Sequence, residues 1–160
     1  MSDDDKRTLL QSIVQRLDSR RSASTRIIGG EGMFERSVAG EFAFSQRYGI
    51  ALDPKLVWKG DNGIDFWMPM LVGVDVKTAQ QHDDRLFVEQ GKVRADIYVL
   101  ANDTGDILNA QLSGWAWSDE VLRVPARDHG KGIVSHMLRA DVLHKMHELD
   151  QRLAVVGCKA

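Results

Sequence analysis

The chain has 160 residues, 43% of them hydrophobic and 28% charged, with a formal net charge of −2. A chain of this size and balance fits one core-forming domain, burying roughly 70% of the surface its unfolded form exposes, and is neither disordered nor fibrous. The lone cysteine, Cys158, excludes an internal disulfide and any cysteine-based metal cluster, and the net charge supplies no global attraction for a polyanion.

The first residues, Ser2-Asp3-Asp4-Asp5-Lys6, are acidic where a secretory signal would be basic, and no apolar run approaches the ~20 residues of a membrane span. A cytoplasmic protein without a membrane partner is expected. From Lys6 to Arg21 the apolar residues Leu9, Leu10, Ile13, Val14 and Leu17 form one stripe of an amphipathic N-terminal helix. Ser22 to Thr25 and Gly29 to Gly32 flank the step Ile27-Ile28 and predict a flexible connection.

A second helix is predicted over Met33 to Tyr48, with Phe34, Val38 and Phe42 at i, i+4 and i+8 and Gly49 as its stop. Glu41 falls about 60° from Val38 on that helix, on the buried side, where a carboxylate needs a partner; Arg47 is one candidate. Gly40 beside it lowers helix propensity by about 1 kcal/mol against Ala.

The turn signal Asp61-Asn62-Gly63 leads into Ile64 to Met68, a reversal around Pro69 and Gly73, and Val74 to Lys77, which together predict a β-hairpin centred near Met70. Further strands are expected at Leu86 to Glu89, Ala95 to Ala101 and Gln111 to Trp117, then a short helix over Ser118 to Leu122 ended by Pro125. The remaining tail reads as irregular until a last turn at Leu143 to Leu149. The expected organisation is a single domain over 1–160: a helix and linker at 1–32, a core at 33–123 and a C-terminal extension at 124–160.

Strand side chains alternate, so Asp75 and Lys77 share one face while Val74 and Val76 take the other. With the hairpin centred at Met70, Asp65 lies opposite Asp75, and directly opposed Cβ atoms are on the order of 5 Å apart. Two facing carboxylates repel and destabilise a hairpin unless a cation lies between them. Mg²⁺ takes oxygen ligands from one or two carboxylates plus water and phosphate, which suits Asp65, Asp75 and the Val76 carbonyl, with Glu41 reaching the ion through water. Lys77 would orient an attacking water or stabilise charge on a transferring phosphoryl group.

Gly60-Asp61-Asn62-Gly63-Ile64-Asp65, nine intervening residues and Asp75-Val76-Lys77-Thr78, preceded by the Glu41 helix, resemble the signature of the PD-(D/E)XK nuclease superfamily. Arg94 to Leu100 and Gly114-Trp115-Ala116 look like later core strands of its small phage and bacterial members, similar to Holliday-junction resolvases and restriction endonucleases, so the likeness spans Val38 to Trp117. The resemblance implies an α/β, restriction-endonuclease-like αβββαβ core: a central mixed sheet flanked by helices. It further implies DNA cleavage with Mg²⁺ or Mn²⁺ in a bacterial or phage-infected cytoplasm, catalytic roles for Asp65, Asp75, Lys77 and Glu41, and a homodimer where both strands are cut. Ile64 stands where the family name suggests proline, and Gln80 or Gln81 occupies a position some members use to touch DNA or water.

A third reading keeps the chemistry and changes the substrate to RNA, since the cation site addresses phosphate rather than the sugar. A rival class is a non-catalytic nucleic-acid- or protein-binding module that keeps the fold. Arg20, Arg21, Arg26, Arg127 and Lys131 are candidates for a basic rim. Trp58, Trp67, Trp115 and Trp117 are expected in the core or an interface, and Asp128 to Gly132 lacks the spacing of a P-loop. His136, His144 and His147 lack ligand partners at a characteristic metal spacing and receive no role.

Overall fold

The computed structural model describes residues 1–21, 32–52, 63–130 and 132–155. The expected linker at 22–31, the Asp61-Asn62 turn, Trp58, Arg26, Lys131 and Cys158 lie outside the described residues.

Helix α1, Asp3–Arg21, begins in its three aspartates, which suit the positive end of the helix dipole. Its Leu10, Ile13 and Val14 pack with Val38 and Phe42 of helix α2, Met33–Tyr48, whereas Leu9 is exposed. Leu17 packs against the same cluster, as do Leu52, Ile107 and Leu108, so Leu9 alone of the predicted stripe is exposed. Gly49 adopts φ 64° and its N–H caps α2 on the Ser45 carbonyl, as the sequence predicts.

Four strands form a mixed sheet: β1 Phe66–Met68, β2 Val72–Ala79, β4 Ile97–Asn102 and β5 Gln111–Trp117, in spatial order β1-β2-β4-β5. The β1/β2 and β4/β5 pairs are antiparallel and β2/β4 is parallel. The hairpin turns through Pro69–Leu71, so Met70 lies at its tip as expected. Between β2 and β4 the chain leaves this sheet to form β3, Arg85–Glu89, which pairs with β7, Val134–Arg139, and through it with β6, Arg127–Asp128, in a second antiparallel sheet.

Strand β4 is buried on both faces, which explains its unbroken apolar run. On one face Val74, Val76, Ile97 and Val99 pack under Phe44 and Tyr48 of α2 and under Met146, Leu149 and Leu153 of helix α4, Met146–Val155. On the other, Tyr98, Leu100 and Ala116 meet Leu86, Val88 and Leu138 of the second sheet and Val121 of helix α3, Ser118–Arg123. Helices therefore cover one face of the central sheet, and a β layer covers most of the other.

The tail departs from its expectation. Residues 127–128 and 134–139 are strands and 146–155 a helix, and they supply Leu138, Leu143, Met146, Leu149 and Leu153 to the two main cores. Strand β7 buries Ser135 and His136 where an apolar alternation would have marked it, with the His136 ring nitrogen Nδ1 2.6 Å from the Val124 carbonyl. Helix α4 is tied back to α2 by Asp150, which accepts from Arg47 at 2.5 and 3.0 Å and from the Tyr48 hydroxyl at 2.9 Å.

Gly40 faces β2 at close range: a Cβ there would lie 2.0 Å from Thr78 Oγ1 and 3.0 Å from the Ala101 Cβ. Its absence lets the helix seat against the strand that carries Asp75 and Lys77. Overpacking a core costs about 1–3 kcal/mol, against which alanine returns ~1 kcal/mol of helix propensity. Gly40→Ala is therefore expected to lower stability in urea titrations by up to about 2 kcal/mol, and a stabilised variant would show that the approach has slack.

Candidate active site

Strand alternation sends Val74 and Val76 into the helix-covered core and Asp75 and Lys77 to the opposite face. Asp75 is 2% exposed, and the Lys77 ammonium is 2.7 Å from its Oδ2. Asp65 sits one position beyond β1, where the Phe66↔Val74 register gives way. Its N–H donates to the Val74 carbonyl at 2.8 Å, and its Oδ2 accepts the Val76 N–H at 2.7 Å. The carboxylate thus takes the place of the ladder partner that β1 no longer provides. A residue's N–H and C=O leave a strand toward the same side, so the Val76 carbonyl is also directed to this edge.

Glu41 is 5% exposed, as its helical phase predicts, and its Oε1 accepts the Ser37 hydroxyl at 3.1 Å. Arg47, its alternative partner in sequence, engages Asp150 instead. Burial, then the charge of Glu41, then that of Asp75 push the Asp65 carboxyl well above the usual range, against the opposing pull of the Val76 N–H and Lys77. Burial works against the charge on Lys77, yet Asp75 outweighs it and holds the ammonium above its ordinary value. Lys77 thus lies within the field of two carboxylates, Asp75 and Asp65, and Asp65 in turn within that of Glu41.

Asp65, Asp75 and Lys77 line an open cleft of about 310 Å³ together with Arg36, Ser37 and Gln80. Asp75 and Lys77 also line a second cleft of about 620 Å³, with Gly63, Lys92 and Arg94. Phe87 belongs to both. Gln80 is thus at the site, whereas Gln81 is not among the residues lining either cleft. Thr78 also lines the first cleft; its Oγ1 is buried without a hydrogen-bond partner.

Several of these residues escaped the sequence pattern. Arg36 and Ser37 are ordinary helix residues until α2 is placed. Phe87 carried a signal: Leu86 and Val88 are the inward pair of β3, so the aromatic between them stands on the polar face. Of the expected basic rim, Arg127 lines neither cleft, whereas Arg36, Arg85, Lys92 and Arg94 do; Arg26, Lys131 and the side chains of Arg20 and Arg21 lie outside the described residues. Of the described tryptophans, Trp115 is fully buried, Trp117 packs against the core and Trp67 is exposed.

Among the described residues no three His, Cys, Asp or Glu side chains stand close enough to hold a metal ion as a set. A cation at this place would meet two carboxylates, Asp65 and Asp75, and the Val76 carbonyl, the kind of oxygen set that Mg²⁺ takes together with its waters. His144 is engaged by Glu120 at 2.8 Å and lies 3.6 Å from Glu148, away from both clefts. No helix of the described residues is long and apolar enough to cross a membrane. No family model, curated protein or solved structure matches this chain.

Because the native Asp65 carboxyl holds its proton to a higher pH than the unfolded chain does, the native state binds more protons between the two pKa values, and stability falls as pH rises through that window. Asp65→Asn keeps an acceptor for the Val76 N–H and removes the charge. In EDTA the variant should melt above the unmodified protein at about pH 8, with the gap closing towards about pH 4. A gap independent of pH would show that the Asp65 charge carries no penalty.

Proposed function

We propose that this chain is a divalent-cation-dependent nuclease of the PD-(D/E)XK kind that hydrolyses phosphodiester bonds in DNA. The observation that carries it is the Asp65 carboxylate, held by the Val76 N–H, lining one open cleft with Asp75 and with Lys77, whose ammonium is 2.7 Å from Asp75. In this reading α2, β1, β2, β4 and β5 are elements of a restriction-endonuclease-like core, and the β3-β7-β6 sheet is an elaboration of it.

Asp65, Asp75 and the Val76 carbonyl would hold Mg²⁺ or Mn²⁺, with Glu41 behind them. The ion would supply Lewis-acid charge at the phosphoryl oxygens and favour ionisation of the attacking water. Lys77, held charged by Asp75, orients that water with its rotatable donors and offsets negative charge building on the phosphoryl group. Glu41 and Asp75 raise the cost of ionising Asp65, a cost that a cation relieves.

That no three-carboxylate ligand set stands among the described residues favours a second reading, a nucleic-acid-binding module that keeps this arrangement without turnover. Purified protein incubated with linear DNA or RNA in Mg²⁺, Mn²⁺ or EDTA separates the two. Divalent-dependent cleavage is expected, and Asp75→Asn or Lys77→Met should each reduce it by about 10²- to 10³-fold, as loss of one electrostatic stabiliser does. Cleavage indifferent to both substitutions would remove these residues from the chemistry. Binding with no cleavage, and no heat of Mg²⁺ binding by calorimetry, would establish the module.

A further inference from the structure

The two clefts meet at Asp75, Lys77 and Phe87, so together they form one trough that crosses the site rather than two separate pockets. Arg36 and Arg85 line one arm and Lys92 and Arg94 the other, with the Lys77 ammonium between them. Five cations thus follow a single path on a chain whose net charge is −2. Arg85 and Lys92 pair with Asp83 at 2.8 Å and Glu89 at 2.7 Å. These are surface pairs of the kind worth little in water and readily exchanged for phosphate.

Phe87 stands at the junction. The Arg85 guanidinium lies 5.2 Å from its ring centroid and the His129 ring meets it edge-on at 5.4 Å. An aromatic ring presented beside cations is the recurring platform on which an unpaired base stacks while the backbone follows the charges. The carboxylates lie at the bottom, with Asp75 only 2% exposed, so a phosphodiester must descend to reach them.

We infer that the trough takes an unpaired polynucleotide strand, with its backbone along Arg36, Arg85, Lys77, Lys92 and Arg94 and one base stacked on Phe87. The inference rests on the nuclease reading for its chemistry and goes beyond it in naming single-stranded ends, gaps or flaps as the substrate.

Fluorescence anisotropy in EDTA, where no cleavage occurs, tests it with the full chain, using a labelled 12-nucleotide single strand and a blunt duplex of the same sequence. The single strand should bind at least about tenfold more tightly. Phe87→Leu should weaken the single strand by about fivefold or more, the low end of what one base–aromatic stack contributes, while Phe87→Trp retains binding and leaves duplex affinity unchanged. Lys92→Gln and Arg94→Gln should each flatten the dependence of log affinity on log salt by about 0.7, the value for one phosphate on a single strand. Equal or tighter binding of the duplex overturns the inference, as does single-strand affinity indifferent to Phe87→Leu in a variant that keeps its unfolding midpoint. Adding Mg²⁺ separates the two claims. Cleavage of blunt duplex as fast as single strand leaves a nuclease but not this substrate, whereas single-strand binding without cleavage of either DNA leaves this substrate but not the nuclease.

Discussion

The cost of ionising Asp65 in place governs this site. Burial, then the charges of Glu41 and Asp75, raise that cost, and the Val76 N–H and the Lys77 ammonium offset part of it. A fold selected for stability alone would disperse these groups. Here the backbone forbids it: β2 fixes Asp75 and Lys77 to one face, the Val76 N–H anchors Asp65, and the helix bearing Glu41 is pressed onto β2 through the bare backbone of Gly40. Local rules are broken where a site has a use for the stored repulsion, and the surrounding cores absorb the strain.

The hairpin and its register were legible because a period of two leaves little freedom once Pro69 and Gly73 mark the reversal. The expected pairing of Asp65 opposite Asp75 gives way instead to an Asp65 carboxylate bound to the Val76 N–H, with the Asp65 N–H on the Val74 carbonyl. Glu41 was legible from helical phase alone. Gly40 was not: in sequence it reads as a weakness of the helix, and only the 2.0 Å approach to Thr78 explains why a side chain is excluded. Strand β7 and helix α4 were missed for a related reason. Buried Ser135 and His136 spoil the alternation, and Met146, Leu149 and Leu153 are dispersed among charges that solvate the outer face of a helix whose inner face caps the sheet.

Overall charge proved a poor guide to local electrostatics. A chain with net charge −2 places Arg36, Arg85, Lys92 and Arg94 around one trough, and these cations come from α2, β3 and the turn after β3. Their grouping depends on the second sheet folding back over the first, a long-range event that no window of sequence records.

The two walls of the trough belong to different layers, one built on β2 and the other on β3, and they touch through the shared core of Leu86, Val88, Tyr98, Leu100 and Leu138. Its aperture is therefore a property of packing. A methylene gained or lost in that core tilts one layer against the other, so the width of the groove can drift during evolution, or be tuned by design, while every charged residue in it stays the same.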